Sequence, residues 1–218
     1  MDNNLTILNS IIWPELLKTF YMVFFSTFFS TIFGFMIAIV LSITRKDGLN
    51  PNETIYKVLN TLINVIRSFP FIILMVAIIP LTRALVGTSI GPKAAIVPLT
   101  VVVSPFIARL IESSLNEVDK GLIEAAKSFG ASNLQIVFKV MIKESIPLII
   151  SSITLAIISI IGFSSMAGAL GAGGLGAVAL TYGYQSFNTT IMYGTVVVII
   201  FIVQIVQATG NFLYRKLK

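Results

Sequence analysis

Seventy consecutive residues, Ser145 to Tyr214, carry no charge, and neither do the 26 from Thr19 to Thr44. A helix needs about 20 predominantly apolar residues to cross the roughly 30 Å hydrocarbon core of a bilayer. The shorter run therefore reads as one span, and the longer has room for two spans and a connection. Two more segments complete the set. Ile55–Leu81 reads as a span interrupted by Arg67 and Pro70. Pro92 suits the first position of a helix that runs through Pro98 and Pro105 to about Ile111. The expected spans are residues 19–44, 57–82, 92–111, 146–170 and 191–213, within a single domain, 1–218. A hydrophobic fraction of 56% and a mean hydropathy of +0.96 agree, since soluble domains hold about 45–50% apolar residues. The sequence thus predicts an all-α integral membrane protein with five transmembrane helices.

The charge distribution orients those helices. A net charge of +6 in a soluble protein would suggest nucleic acid. Here the basic residues cluster at segment ends, where membrane lipid headgroups are the expected partner and no nucleic acid is expected. With the first and third connections and the tail placed inside, eleven Lys and Arg lie there against three (Lys18, Arg83, Lys93) outside, Arg67 being intramembrane. The positive-inside rule then puts the N-terminus outside and the C-terminus in the cytoplasm. Asp2 and Glu15 stand where a signal peptide would carry a basic region, so no cleavable signal is expected. Trp13, Tyr21, Tyr182, Tyr184 and Asn188 suit interfacial positions. Zero Cys and zero His exclude thiol chemistry, disulfides and the commonest metal ligand and general base. With no convergent carboxylates in the spans either, the sequence predicts no catalytic, metal or cofactor residues and no enzyme.

Between the third and fourth spans the chain changes character. Glu112–Pro147 holds nine charged residues and looks made for water, and the 112–145 connection falls on the cytoplasmic side. Gly121–Gly130 reads as a short helix stopped by a glycine, which takes a positive φ without a Cβ penalty. Ser132 is a good N-cap for a second short helix, whose Leu134, Ile136, Val137, Val140 and Met141 have helical spacing. A polar helix–Gly–helix between apolar spans is something for another protein to hold.

Glu124-Ala125-Ala126, three further residues and Gly130 resemble the EAA loop of permease subunits of ATP-binding-cassette importers. The resemblance covers roughly residues 13–214 and is most specific for methionine-importer permeases. It rests on Arg67-Ser-Phe-Pro-Phe-Ile-Ile-Leu74, Gly87-Thr-Ser-Ile-Gly91, Ala94-Ala-Ile-Val-Pro-Leu-Thr100, Pro105-Phe-Ile-Ala-Arg109 and Gly168-Ala-Leu-Gly-Ala-Gly-Gly-Leu-Gly176. One departure is that Ile142-Lys143 stands where the family usually has Leu-Pro, the next proline being Pro147. The resemblance implies a bacterial cytoplasmic-membrane permease that transports methionine as a homodimer. It also implies a pair of cytoplasmic ATP-binding subunits docked on Glu124, Ala125, Ala126, Gly130 and Ser132, and an extracytoplasmic substrate-binding protein. No Gly-Lys-Ser/Thr follows any glycine cluster here, so ATP is expected on the partner subunit and no cofactor on this one. Glu-Ala-Ala is also simply a good helix-forming triplet; its place in a cytoplasmic loop gives it further meaning.

Arg67, Ser164, Met166 and Gly168 are candidates for the translocation path. An intramembrane charge is a functional candidate, though Arg67 beside Pro70 also suits snorkelling to an interface. Met166 fits either a gap-filling role or a plug that meets its copy on a dimer axis. Gly171-x-Gly173-x-x-Gly176 fits a dinucleotide fingerprint only literally. No strand precedes it and no acidic residue follows, so close packing or an irregular pore-lining turn remain. A channel or secondary transporter would need mid-membrane ionisable groups beyond Arg67. Within the resemblance, the rival is an importer of another small amino acid or a dipeptide.

Overall fold

The computed structural model describes residues 2–218, and the side chains of residues 10–218. Helix α1 (Asp2–Thr44) is 43 residues long and passes through Pro14. At about 1.5 Å per residue it measures ~65 Å, twice the hydrocarbon core, so it starts well before the expected residue 19. Asn52 then caps α2 (Glu53–Ser68), its Oδ1 accepting the Ile55 N–H at 3.1 Å. The span expected over 57–82 does not run through. Phe69 is extended (φ −75°, ψ 131°), as a residue before proline must be to clear the ring. α3 (Phe71–Ala77) leaves at 105° to α2, and α4 (Ile79–Val86) follows it.

Helix α5 (Pro92–Asn116) starts with Pro92 in its first turn, as anticipated, and runs a turn past the expected end at Ile111. It is the axis of the bundle. Its most apolar window is 61% buried, against 28%, 33% and 11% for the other long helices. After α6 (Lys120–Ser128), the fourth span is part of a 40-residue helical segment, α7 (Asn133–Ala172), with a π-helical turn at Val137–Met141 and an irregular end, where Leu170 (φ −100°, ψ 19°) and Gly171 (φ +89°, ψ 14°) leave helical geometry. A short helix α8 (residues 175–185) and the last span, α9 (Thr189–Leu217), complete the chain. Four helices, counted from the described residues, are long and apolar enough to cross a membrane, and the bent α2–α3 pair makes a fifth span if it is taken as one.

Between α1 and α5 the packing is close because small residues recur every fourth position. Met22, Ser26, Ser30 and Ala38 are fully enclosed, and Gly34 shares their face. A Cβ on Gly34 would lie 2.7 Å from Ile107 Cγ2 and 2.9 Å from the Ser104 carbonyl. Lipid tails are as apolar as leucine, so helices in a bilayer associate through such contact rather than through water exclusion. Gly34→Val should therefore overpack the seam by about 1–3 kcal/mol and lower the unfolding temperature of the extracted protein. Gly162→Ala is the control, since nothing stands within 4 Å of its Cβ. Equal melting of both variants and the parent would show that the seam is loose.

Candidate coupling site and translocation face

The connection after α5 is built by local capping chemistry. Asp119 caps α6, its Oδ1 accepting the Gly121 N–H at 2.6 Å. At the other end the Gly130 N–H donates to the Lys127 carbonyl (2.9 Å) and the Ala131 N–H to the Ala126 carbonyl (3.1 Å). That pair of bonds is the Schellman arrangement, which needs a left-handed residue at the turn; Gly130 supplies it with φ +78°. Ser132 then starts α7 with a capping box. Its Oγ accepts the Gln135 N–H at 3.3 Å, and Gln135 Oε1 accepts the Ser132 N–H at 2.9 Å.

Two expectations for this hairpin change. Its second helix does not end: it continues through the Val137–Met141 π-turn into the span, with Pro147 inside. The turn inserts a residue into the face, so that Ile136, Val137 and Met141 are all buried. Secondly, the two alanines differ. Ala126 and Ile123 pack against the core, whereas Glu124 and Ala125 are exposed. Beside them stand Leu122, Leu134, Phe138 and Phe129, the last 91% exposed. Sequence reasoning passed over Phe129, although an aromatic directly before the helix-stopping glycine was visible. Asp47, in the α1–α2 connection, reaches Lys120 at 3.6 Å, and Asn133 Nδ2 donates to the Leu49 carbonyl at 3.3 Å. The Asp47 carboxyl lies below its ordinary pKa. The desolvation that raises it is outweighed by its own backbone amide, by Arg45 and by Lys120. A cavity of about 290 Å³ remains between this connection and α6.

Glu112 contradicts the expectation of a wholly water-facing stretch, since it is only 5% exposed. It accepts Arg109 Nη1–H at 2.7 Å and the Tyr56 hydroxyl at 3.3 Å, while Arg109 Nη2 donates to Asn60 Oδ1. The Arg109-x-x-Glu112 spacing turns these two charged groups of α5 to one side, where they hold α2. Removing one member of a buried pair typically costs ~3–5 kcal/mol, because the other charge is stranded. The low end applies here, as the Arg109 side chain keeps 22% exposure. Glu112→Leu should thus lower the melting temperature by roughly 6–12 °C. Adding Arg109→Leu should restore most of it. No recovery in the double variant would mean the two residues act separately.

The candidate path residues separate into two pairs. Ser164 is 2% exposed and its Oγ donates to the Ile161 carbonyl at 2.8 Å. Gly168 is buried, and a Cβ there would meet the Ala177 N at 2.6 Å and the Gly173 carbonyl at 3.0 Å. Both are enclosed by their own chain. Met166 is 45% exposed, and Arg67 is exposed in the last turn of α2, immediately before the bend. The ring of Phe71, at the start of α3, lies 5.0 Å from that of Phe163 on α7. The bend beside Arg67 is therefore packed one turn away from Met166.

Residues 30–218 match the family described as the binding-protein-dependent transport system inner membrane component. The chain belongs to that family. It is a multi-pass inner-membrane component. The probable D-methionine transport system permease protein MetI of Vibrio cholerae is 46% identical over 91% of this chain and 88% of its own. The methionine import system permease protein MetP of Bacillus subtilis is 48% identical over 92% and 90%. A solved structure described as an inward-facing conformation of the MetNI methionine ABC transporter superposes with a TM-score of 0.93 at 41% identity. The superposition covers 95% of this component and 96% of that chain.

Proposed function

We propose that this permease component forms, as a homodimer, the path by which an ATP-driven importer moves methionine across the cytoplasmic membrane. In this reading a pair of cytoplasmic ATP-binding subunits grips the α6–α7 hairpin and an extracytoplasmic binding protein delivers substrate. The observation that carries it is the exposed patch of Ala125, Phe129, Leu134 and Phe138 on a junction capped from both sides. Apolar surface of that kind outside the spans marks a partner interface. The names of the relatives support methionine as the substrate. ATP binds the partner subunits, and this chain contributes a mechanical element with no chemistry of its own.

The mechanism follows from connectivity. Displacing the hairpin displaces α7, because no break separates them. Met166 rides at the far end of that helix, held by Ser164 and Gly168 beneath it, and closes the path against its copy. Arg67, on the exposed side of α2, offers a cation to the carboxylate of a passing amino acid. The N-terminus lies outside and the C-terminus inside, as the eleven-to-three distribution of Lys and Arg favours.

A reporter fused after Tyr184 should read external and one after Lys218 internal; agreement between the two would end the five-span topology. In vesicles carrying the permease, its ATP-binding subunits and the binding protein, methionine uptake should require ATP. Suppression of that uptake by excess glutamine or histidine, but not by unlabelled methionine, would indicate another amino acid.

Gly130→Val forces a β-branched residue into a left-handed conformation at a cost of about 1–2 kcal/mol, or opens the angle between the helices. It should leave insertion intact while weakening capture of the ATP-binding subunit, and Phe129→Asp and Glu124→Lys should act alike through the contact itself. The check is pull-down and uptake normalised to inserted permease. Normal values for all three would exclude the hairpin as the coupling element.

A further inference from the structure

The family match begins at residue 30, yet the preceding part of α1 makes short polar contacts with the glycine-rich turn between α7 and α8. Glu15 Oε2 accepts the Gly174 N–H at 2.6 Å, and Thr19 Oγ1 accepts the Leu175 N–H at 2.8 Å. Both acceptors are fixed from their own side. Lys18 Nζ holds the other Glu15 oxygen at 2.5 Å, and the Thr19 hydroxyl donates to the Glu15 carbonyl at 3.2 Å. The turn must be bare for α1 to reach it. Gly173 and Gly174 sit at φ +76° and +84°. A Cβ on Gly174 would stand 2.7 Å from Thr19 Oγ1, and one on Gly173 would stand 3.1 Å from Glu15 Oε2. The Gly91 N–H ties the same turn from a third side, donating to the Gly171 carbonyl at 3.0 Å.

What the turn carries is Met166, in the last α-helical turn before it. The two are one unit, because a Cβ on Gly176 would lie 2.2 Å from Ser165 Cα. We infer that Glu15 and Thr19 are positioning residues. They form an outer latch that holds the α7–α8 turn, and Met166 with it, in the closed setting of the inward-facing state. Opening toward the outside then requires the latch to release. The inference rests on the proposed orientation and on Met166 lining the path. The likeness to a transporter described as inward facing, with a TM-score of 0.93, associates the latched arrangement with that state.

The chain has no cysteine, so Met166→Cys provides a single reporter thiol in the assembled transporter. Without nucleotide, a membrane-impermeant maleimide added outside should modify it slowly. Thr19→Val, which keeps the shape and loses the acceptor, should raise the rate by about tenfold, the scale of one lost hydrogen bond. Thr19→Ser should restore the slow rate. With the ATP-bound state trapped, all three should react alike, because the latch is already open. Equal rates for Thr19 and Thr19→Val without nucleotide would overturn the latch. So would an acceleration of similar size in both states, which is the mark of a loosened fold. Tyr184→Cys, exposed beyond the turn, serves as the control. If it cannot be reached from outside, the orientation itself is wrong and the latch falls for that separate reason.

Discussion

The close approach of α1 to α5 is the contact on which the rest of the bundle depends. In lipid there is little hydrophobic gain from pairing two apolar helices, so association has to come from dispersion at short range and from interhelical hydrogen bonds. Ser26, Ser30, Gly34 and Ala38 permit that range by offering almost no side chain. With one side of α5 committed to α1, its other sides take the remaining elements. Ser114 meets Ser152 of α7 at 3.3 Å and accepts the Ser145 hydroxyl through its carbonyl at 2.9 Å. Arg109 and Glu112 hold α2. Because α5 leads directly into the hairpin, its position also sets where the hairpin emerges.

The hairpin is rigid for reasons that reach beyond its own caps. Ile123 and Ala126 on the inner face of α6 join the core that contains Leu115, Val118 and Met141. Asp47 and Leu49 brace it from the α1–α2 connection. Beyond Ser132 there is no hinge loop, only a helix of roughly 60 Å at about 1.5 Å per residue. In the proposed mechanism, force applied at Phe129 would be delivered along α7 to the end that carries Met166. A flexible loop at this position would absorb the displacement. Two irregularities lie on the way: the π-turn at Val137–Met141, whose Val137 and Met141 are buried with the neighbouring Ile136, and Pro147 inside the helix.

What could be read from the sequence was what local chemistry decides. Gly130 and Ser132 announce the hairpin because a left-handed stop and a hydroxyl cap are properties of single residues, and Pro92 opens α5 for the same reason. The bend at Pro70 was visible as an interruption but not as a 105° turn, since its angle depends on Phe71 packing against Phe163. Glu112 was misjudged because its partner Tyr56 is 56 residues away. Nothing in Val137–Met141 signals a π-turn, so the fusion of the hairpin to the span was hidden. Ser164, Met166 and Gly168 could not be told apart by type. Their facings depend on how α7 and α8 fold over one another, where a Cβ on Gly168 would meet Ala177.

The hairpin and α7 are expected to move as one body. This can be tested with two spin labels on one copy of the dimer, at Lys127→Cys on α6 and Leu155→Cys on the exposed side of α7, in a chain with no native cysteine. The distance distribution between them should be the same without nucleotide and with the ATP-bound state trapped, while the distance from Lys127→Cys to its counterpart in the other copy changes. A shift or broadening of the intramolecular distance on nucleotide binding would place a hinge between the two labels and contradict the account.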